Sequence, residues 1–306
     1  MKTIGIYCLG HRRQESFLIH AKELAKCIFT NFHLYILSTG IDNKIIDEMN
    51  LLLSNRITII DFSPGNQNYL DKINYAINRN HEFAIKLDED CFMTAASWKI
   101  FLESHSKMND DDLLFSGCIS NGIPTVDLFL EHHVPEIKDL LFTRFASIKF
   151  DSEGINYGQL NNNDSIWNPA SFYERVSKFP HFYKGIHPVR IDFDSVKIIN
   201  DYIIANFEKV MKPKPFNLLR DSKSFPYFCN SLFMIRTEEW NKIINSKDLF
   251  VDFFDEVPLN QYRIKNNKNF LFDLSIPVLH TMYNWTPNWD YENKLIKSIG
   301  KELSCM

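Results

Sequence analysis

The chain has 306 residues, 45% hydrophobic and 24% charged, enough to bury a sizeable core as one large domain or two small ones. Its formal charge of −4, with no basic block, argues against a nucleic-acid partner. No run of about 18 apolar residues offers a membrane span, and the six cysteines lack CxxC or metal-type spacing, which suits a reducing, cytoplasmic setting.

The opening Met1-Lys2-Thr3-Ile4-Gly5 leads straight into a strand-like run and carries no signal-peptide pattern. Attachment to a membrane surface stays open. Thr3–Leu9 reads as an apolar strand, and Phe17, Leu18, Ala21, Leu24, Ala25 and Ile28 give residues 14–29 a helical period. The pattern then alternates: strand 32–37, helix 43–53, strand 56–61, helix 69–78, strand 82–87, helix 95–106 and strand 113–119. Such alternation predicts an α/β fold with a mostly parallel central sheet flanked by helices.

From Ser120 to Ser224 the regular pattern gives way to an insertion rich in Asn, Phe, Tyr and Pro. One helix stands out there, with Val196, Ile199, Ile203, Phe207 and Val210 on a shared face and Lys212-Pro213-Lys214-Pro215 ending it. Regular structure returns with a strand over 227–235, a helix through Trp240–Ile244 and a strand over 270–279. We expect a single domain over 1–306, with an α/β first half (1–119), the insertion (120–224) and a second half (225–306).

The strand over 82–87 runs directly into Asp88-Glu89-Asp90. Carboxylates at the end of a buried strand imply a cation there. On an extended backbone Asp88 and Asp90 face one side and Glu89 turns aside, with the two Cα atoms roughly 7 Å apart. That spacing suits Asp90 as ligand to a hard divalent ion, with Asp88 holding a hydroxyl or metal-bound water. Two other Asp-x-Asp pairs lack a preceding strand. Asp110-Asp111-Asp112 precedes its strand and reads as a solvated loop, and Asp192-Phe193-Asp194 reads as a helix N-cap.

Later in the chain, Asp255-Glu256 ahead of Val257-Pro258-Leu259 reads either as a helix start or as the source of a catalytic base. His280, closing an apolar strand, reads either as a core histidine or as a third metal ligand.

Lys86-Leu87-Asp88-Glu89-Asp90-Cys91-Phe92, the Asp-Glu helix start and the late histidine together resemble a GT-A-fold, nucleotide-sugar-dependent glycosyltransferase of the galactosyltransferase-like branch. The resemblance covers most of residues 1–110 and 225–285, and it implies a nucleotide-binding half (1–119), an insertion that forms an acceptor region (120–224) and an acceptor and catalytic half (225–306). It implies Mn²⁺ or Mg²⁺ held by Asp90, Asp88 and His280 against a donor diphosphate. Registered on Leu259, it makes Glu256 the base, with Asp255 beside it. It places the donor nucleotide against Arg12, Arg13, Asp61, Lys72 and Asn74, and the donor sugar near Asn230. Tyr283, Trp285 and Trp289 suit an aromatic lip for sugars, or ordinary packing. The activity implied is transfer from a nucleoside-diphosphate sugar, UDP first among the bases, to a hydroxyl of a glycan or glycoconjugate, with inversion; retention stays open. A sugar nucleotidyltransferase, a metal-dependent phosphoesterase and a non-catalytic carbohydrate-binding protein are the alternatives.

Overall fold

The computed structural model describes residues 3–10, 13–27, 29–62, 69–122, 125–147, 189, 192–221, 231–246, 257–281 and 288–306. The strands are β1 (Ile4–Leu9), β2 (Phe32–Ser38), β3 (Ile57–Asp61), β4 (Phe83–Asp88), β5 (Cys91–Phe92), β6 (Asp112–Ile119), β7 (Leu218–Asp221), β8 (Leu232–Arg236) and β9 (Asn269–His280). The helices are α1 (Gln14–Ala25), α2 (Asn43–Leu53), α3 (Tyr69–Ile77), α4 (Ala95–Glu103), α5 (Val126–His132), α6 (Pro135–Ser147), α7 (Phe193–Ala205), α8 (Phe207–Met211), α9 (Thr237–Ile244), α10 (Val257–Lys265) and α11 (Trp289–Cys305).

Alternation within β1 shows why a sheet covered on both faces forms. Ile4, Ile6 and Cys8 pack into one apolar cluster, which takes in α1, α2 and α4. Tyr7 and Leu9 point into the other, with α5, α6, α7, α8 and α9. A strand with both faces buried reads as a continuous apolar run, and β1 is buried at every position. The strands order as β3-β2-β1-β4-β8-β6-β9-β5, with β7 also on β9. Among the described strands β1, β2, β3, β4, β6 and β9 share one direction, while β5, β7 and β8 oppose it. The fold is α/β, with a mostly parallel sheet between two helical layers.

This order positions the site. From β1 the chain steps outward through β2 and β3, then returns to lay β4 along β1's other side. The reversal opens a crevice beyond the carboxyl ends of β1 and β4, where ligands of open α/β sheets collect. Leu9 and Asp88, the last residues of the two strands, are register partners.

Regular structure reaches further into residues 120–224 than the sequence pattern suggests. Helices α5 and α6 bury Val126, Phe129, Leu130, Leu141 and Phe145. The expected helix over 196–210 is two, broken at Asn206, although all five residues of its apolar face are buried. Asp192 caps α7 by accepting from Ser195 N at 3.1 Å. The Asp110 run is not wholly solvated: Asp112 is buried and takes a forked pair of bonds from Arg220, at 2.8 and 2.9 Å.

Candidate active site

Strand β4 ends at Asp88, and Glu89-Asp90 forms a turn before β5. The period-two expectation therefore fails one residue early. Glu89 does not turn aside: it is buried, its N–H donates to Leu9 O at 3.1 Å, and its carbonyl meets His20 Nε2 at 3.0 Å. Gly10 explains how the two strand ends approach so closely. A Cβ there would sit 1.9 Å from Glu89 Oε2. Asp88 is the more exposed of the three acids and pairs with the buried Lys86 at 2.6 Å.

Arg13, directly ahead of α1, is buried beside these acids. Its Nη1 donates to Glu89 at 3.2 Å, its Nε to Glu292 of α11 at 3.1 Å, and its Nη2 makes a further short bond to Glu292. Nη1 also lies 3.7 Å from Asp90 Oδ2, and the Trp289 ring covers the guanidinium at 4.9 Å. Burial works against its charge, but Asp90, Glu292 and Glu89 outweigh burial and raise its pKa. Burial raises the carboxyl pKa of Glu89 and of Glu292, with Arg13 opposing in each case.

Asp90 and His280 meet at the centre. The last residue of β9 is His280, whose N–H donates to Ser120 Oγ at 3.1 Å just beyond β6. Thr281 N donates to the Asp90 carbonyl at 3.0 Å and fixes the turn against β9. The carboxyl ends of four co-directional strands, β1, β4, β6 and β9, thus supply the site. His280 Nδ1 lies 2.5 Å from Asn121 Oδ1, which can only accept, so Nδ1 carries the proton. That leaves Nε2 facing Asp90 Oδ1 at 3.5 Å.

These residues fit a cation. His280 Nε2, Asp90 Oδ2 and Glu292 Oε1 are buried without a hydrogen-bond partner, and such orphans call for an ion or water. Two donors about 2.1 Å from one ion, at angles between octahedral and tetrahedral, lie roughly 3.0–3.5 Å apart, and Nε2 and Oδ1 are 3.5 Å apart. A ligating histidine ordinarily donates its other ring N–H to an oxygen, as His280 does to Asn121. Asp88, Glu89, Asp90 and Glu292 set four carboxylates against Arg13, Lys72 and Lys86, a negative excess that favours a cation.

The other expected residues fall at varying distances. Lys72 Nζ donates to Gly10 O at 3.1 Å; burial lowers its pKa and Glu89 opposes. Asp61 ends β3 and accepts from Gly40 N at 2.9 Å, three strands or roughly 14 Å along the carboxyl edge from β4. Asn74 lies on α3 and is exposed. Arg12, Asn230, Asp255, Glu256, Tyr283 and Trp285 lie outside the described residues. Sequence reasoning missed the inward roles of Glu89, Asn121 and Glu292. Asn121 follows a strand end, which is a usable signal; Glu292 is one acid on an amphipathic helix and gives none.

No family model matches the chain, and no curated protein matches it by sequence. Among solved structures it is similar to a mannosyltransferase from Pyrobaculum calidifontis in complex with GDP-Man and Mn²⁺, with TM-score 0.43, 10% identity, and cover of 99% of this chain and 64% of that one. It is also similar to glucosyl-3-phosphoglycerate synthase from Mycobacterium tuberculosis in complex with phosphoglyceric acid, with TM-score 0.32, 9% identity, and cover of 45% and 52%. The same enzyme with Mn²⁺, UDP and glucosyl-3-phosphoglycerate gives TM-score 0.30 at 10% identity, with cover of 45% and 53%. The chain thus spans about half to two thirds of the length of these proteins.

Proposed function

We propose that the chain is a GT-A-type, metal-dependent glycosyltransferase. It moves a sugar from a nucleoside-diphosphate sugar, a UDP-sugar first among the donors, to a hydroxyl of a glycan or glycoconjugate. One observation carries the reading. At the crevice where the strand order reverses, buried His280 Nε2 faces Asp90 Oδ1 at 3.5 Å, and Nε2 and the other Asp90 oxygen, Oδ2, are left without hydrogen-bond partners within a negatively charged cluster.

A divalent ion, Mn²⁺ or Mg²⁺, would be held by Asp90 and His280 with Asp88 nearby, and when bound it stabilises negative charge on the departing diphosphate. Asn121 fixes the tautomer of His280 and aims Nε2 inward. Arg13 and Glu89 keep the Asp90 turn against β1, and the Trp289 ring keeps water from the guanidinium. Lys72 holds the Gly10 loop, which borders the donor crevice. Glu256, just ahead of α10, takes the proton from the acceptor hydroxyl, a contribution of about 10²–10⁴ in rate. Attack on the face opposite the leaving group then inverts the anomeric centre. The insertion, 120–224, selects the acceptor.

The test is release of nucleoside diphosphate from a panel of UDP-, GDP-, ADP- and TDP-sugars with Mn²⁺ and a mixed glycan acceptor pool. Release from one donor, lost in Asp90→Asn and sharply reduced in Glu256→Gln, is expected. Binding of a donor with no release under any acceptor would instead favour a carbohydrate-binding protein.

A further inference from the structure

Cys91, directly after Asp90, opens β5 and stands opposite His280 in the antiparallel β5–β9 pair. Directly opposed residues in such a ladder project from the same face, with Cβ atoms about 4.5–5.5 Å apart. The thiol of Cys91, a carboxylate oxygen of Asp90 and a ring nitrogen of His280 all lie within 4.8 Å of one another, and all three residues are buried. Cys91 is in no disulfide.

A buried cysteine is ordinarily a small hydrophobe, and Cys91 does belong to the apolar cluster that contains Leu87, Met93 and Val278. Its neighbours set it apart. His280 Nε2 and Asp90 Oδ2, both on residues 2% exposed, have no hydrogen-bond partner. Nitrogen and oxygen ligands sit about 2.0–2.2 Å from a metal and sulfur about 2.3 Å. Three such atoms around one tetrahedral ion lie roughly 3.3–3.6 Å apart, so the triad closes by side-chain shifts of about 1 Å.

We propose that the thiolate of Cys91 is a third protein ligand, joining Asp90 and His280 around one divalent ion. The proposal rests on the metal-dependent reading above and deepens it by naming the donor set. Asp, His and Cys with one position left for a phosphate oxygen match the three-ligand pattern of catalytic zinc sites. A carboxylate and imidazole alone would accept Mg²⁺ or Mn²⁺; a thiolate among them ranks Zn²⁺ and Co²⁺ above Mg²⁺. Coordination breaks the S–H bond, forms a sulfur–metal bond and releases the proton to solvent.

The experiment is Co²⁺ titration of the full chain, alone and with UDP or GDP, read by absorption. The wild type is expected to show a near-ultraviolet thiolate-to-cobalt charge-transfer band. Cys91→Ser should lose that band and bind Co²⁺ at least about tenfold more weakly, with little change toward Mg²⁺. Cys8→Ser should keep the band. Zinc-edge X-ray absorption on the unsubstituted protein should show a sulfur scatterer at about 2.3 Å, which removes any dependence on the folding of a variant. Co²⁺ binding without the band, or a band that persists in Cys91→Ser, overturns the thiolate while leaving the metal site standing. No Co²⁺ or Mn²⁺ binding under any condition overturns both.

Discussion

Arg13 directs its donors inward, to Glu89 and Glu292, while Asp90 flanks the same guanidinium. Removing one partner from a buried charge cluster leaves the rest uncompensated and typically costs about 3–5 kcal/mol. Arg13→Ala is therefore expected to lower unfolding stability in urea by about that amount, with Arg13→Lys in between, because an ammonium cannot span both carboxylates. A loss below about 1 kcal/mol for Arg13→Ala would show that the cluster behaves as an exposed set of pairs. At this scale the sequence was legible where a residue closes a strand. Asp90 and His280 stood out because nothing in an apolar run calls for them. Glu89 departs from the alternation because the strand stops at Asp88 and the turn that follows directs its side chain inward. Arg13, expected against the nucleotide, lies among carboxylates, a pairing made by residues 76 and 279 positions away that no local pattern reveals.

Elements show the same division between local and distant causes. His133 closes α5 and meets the Leu274 carbonyl of β9 at 2.8 Å. Burial pushes its pKa down to about 4, although the Leu274 bond opposes. Between its ordinary pKa of about 6.5 and about 4, the unfolded chain binds a proton that the fold refuses. Stability is therefore full above that window and falls as pH drops through it, by up to on the order of 3 kcal/mol. Urea midpoints from pH 7.5 to 4 should fall more steeply for wild type than for His133→Gln, and parallel slopes would contradict this. Asp192 both caps α7 and pairs with Arg144 of α6 at 2.5 and 2.9 Å. Asp192→Ala should cost about 1–2 kcal/mol, read as a shift in urea midpoint at unchanged slope. That cap was legible from Asp ahead of an apolar period. Helices α5 and α6 were not, because much of α6 is exposed and its apolar stripe is narrow. The two-residue β5 is too short to leave a pattern, yet it carries Cys91 to His280.

Across the whole molecule, topology decides where chemistry can occur. The alternation over residues 3–119 was enough to foresee a mostly parallel sheet, whereas the placement of β8 between β4 and β6 arises only from tertiary pairing. That insertion lets the carboxyl ends of β6 and β9 face those of β1 and β4 across a single antiparallel strand. Ser231, leading into β8, accepts from Asp88 N at 2.8 Å and ties the two halves together at the site. We propose this junction as a metal-dependent nucleotide site centred on Asp90. Its most direct measurement is the thermal shift produced by UDP, GDP, CMP and ADP, each with and without Mn²⁺, on wild type and Asp90→Asn. One nucleoside diphosphate should raise the wild-type Tm only when Mn²⁺ is present, and the variant, though folded, should not respond. Equal stabilisation of wild type and Asp90→Asn, or none by any nucleotide, would contradict it.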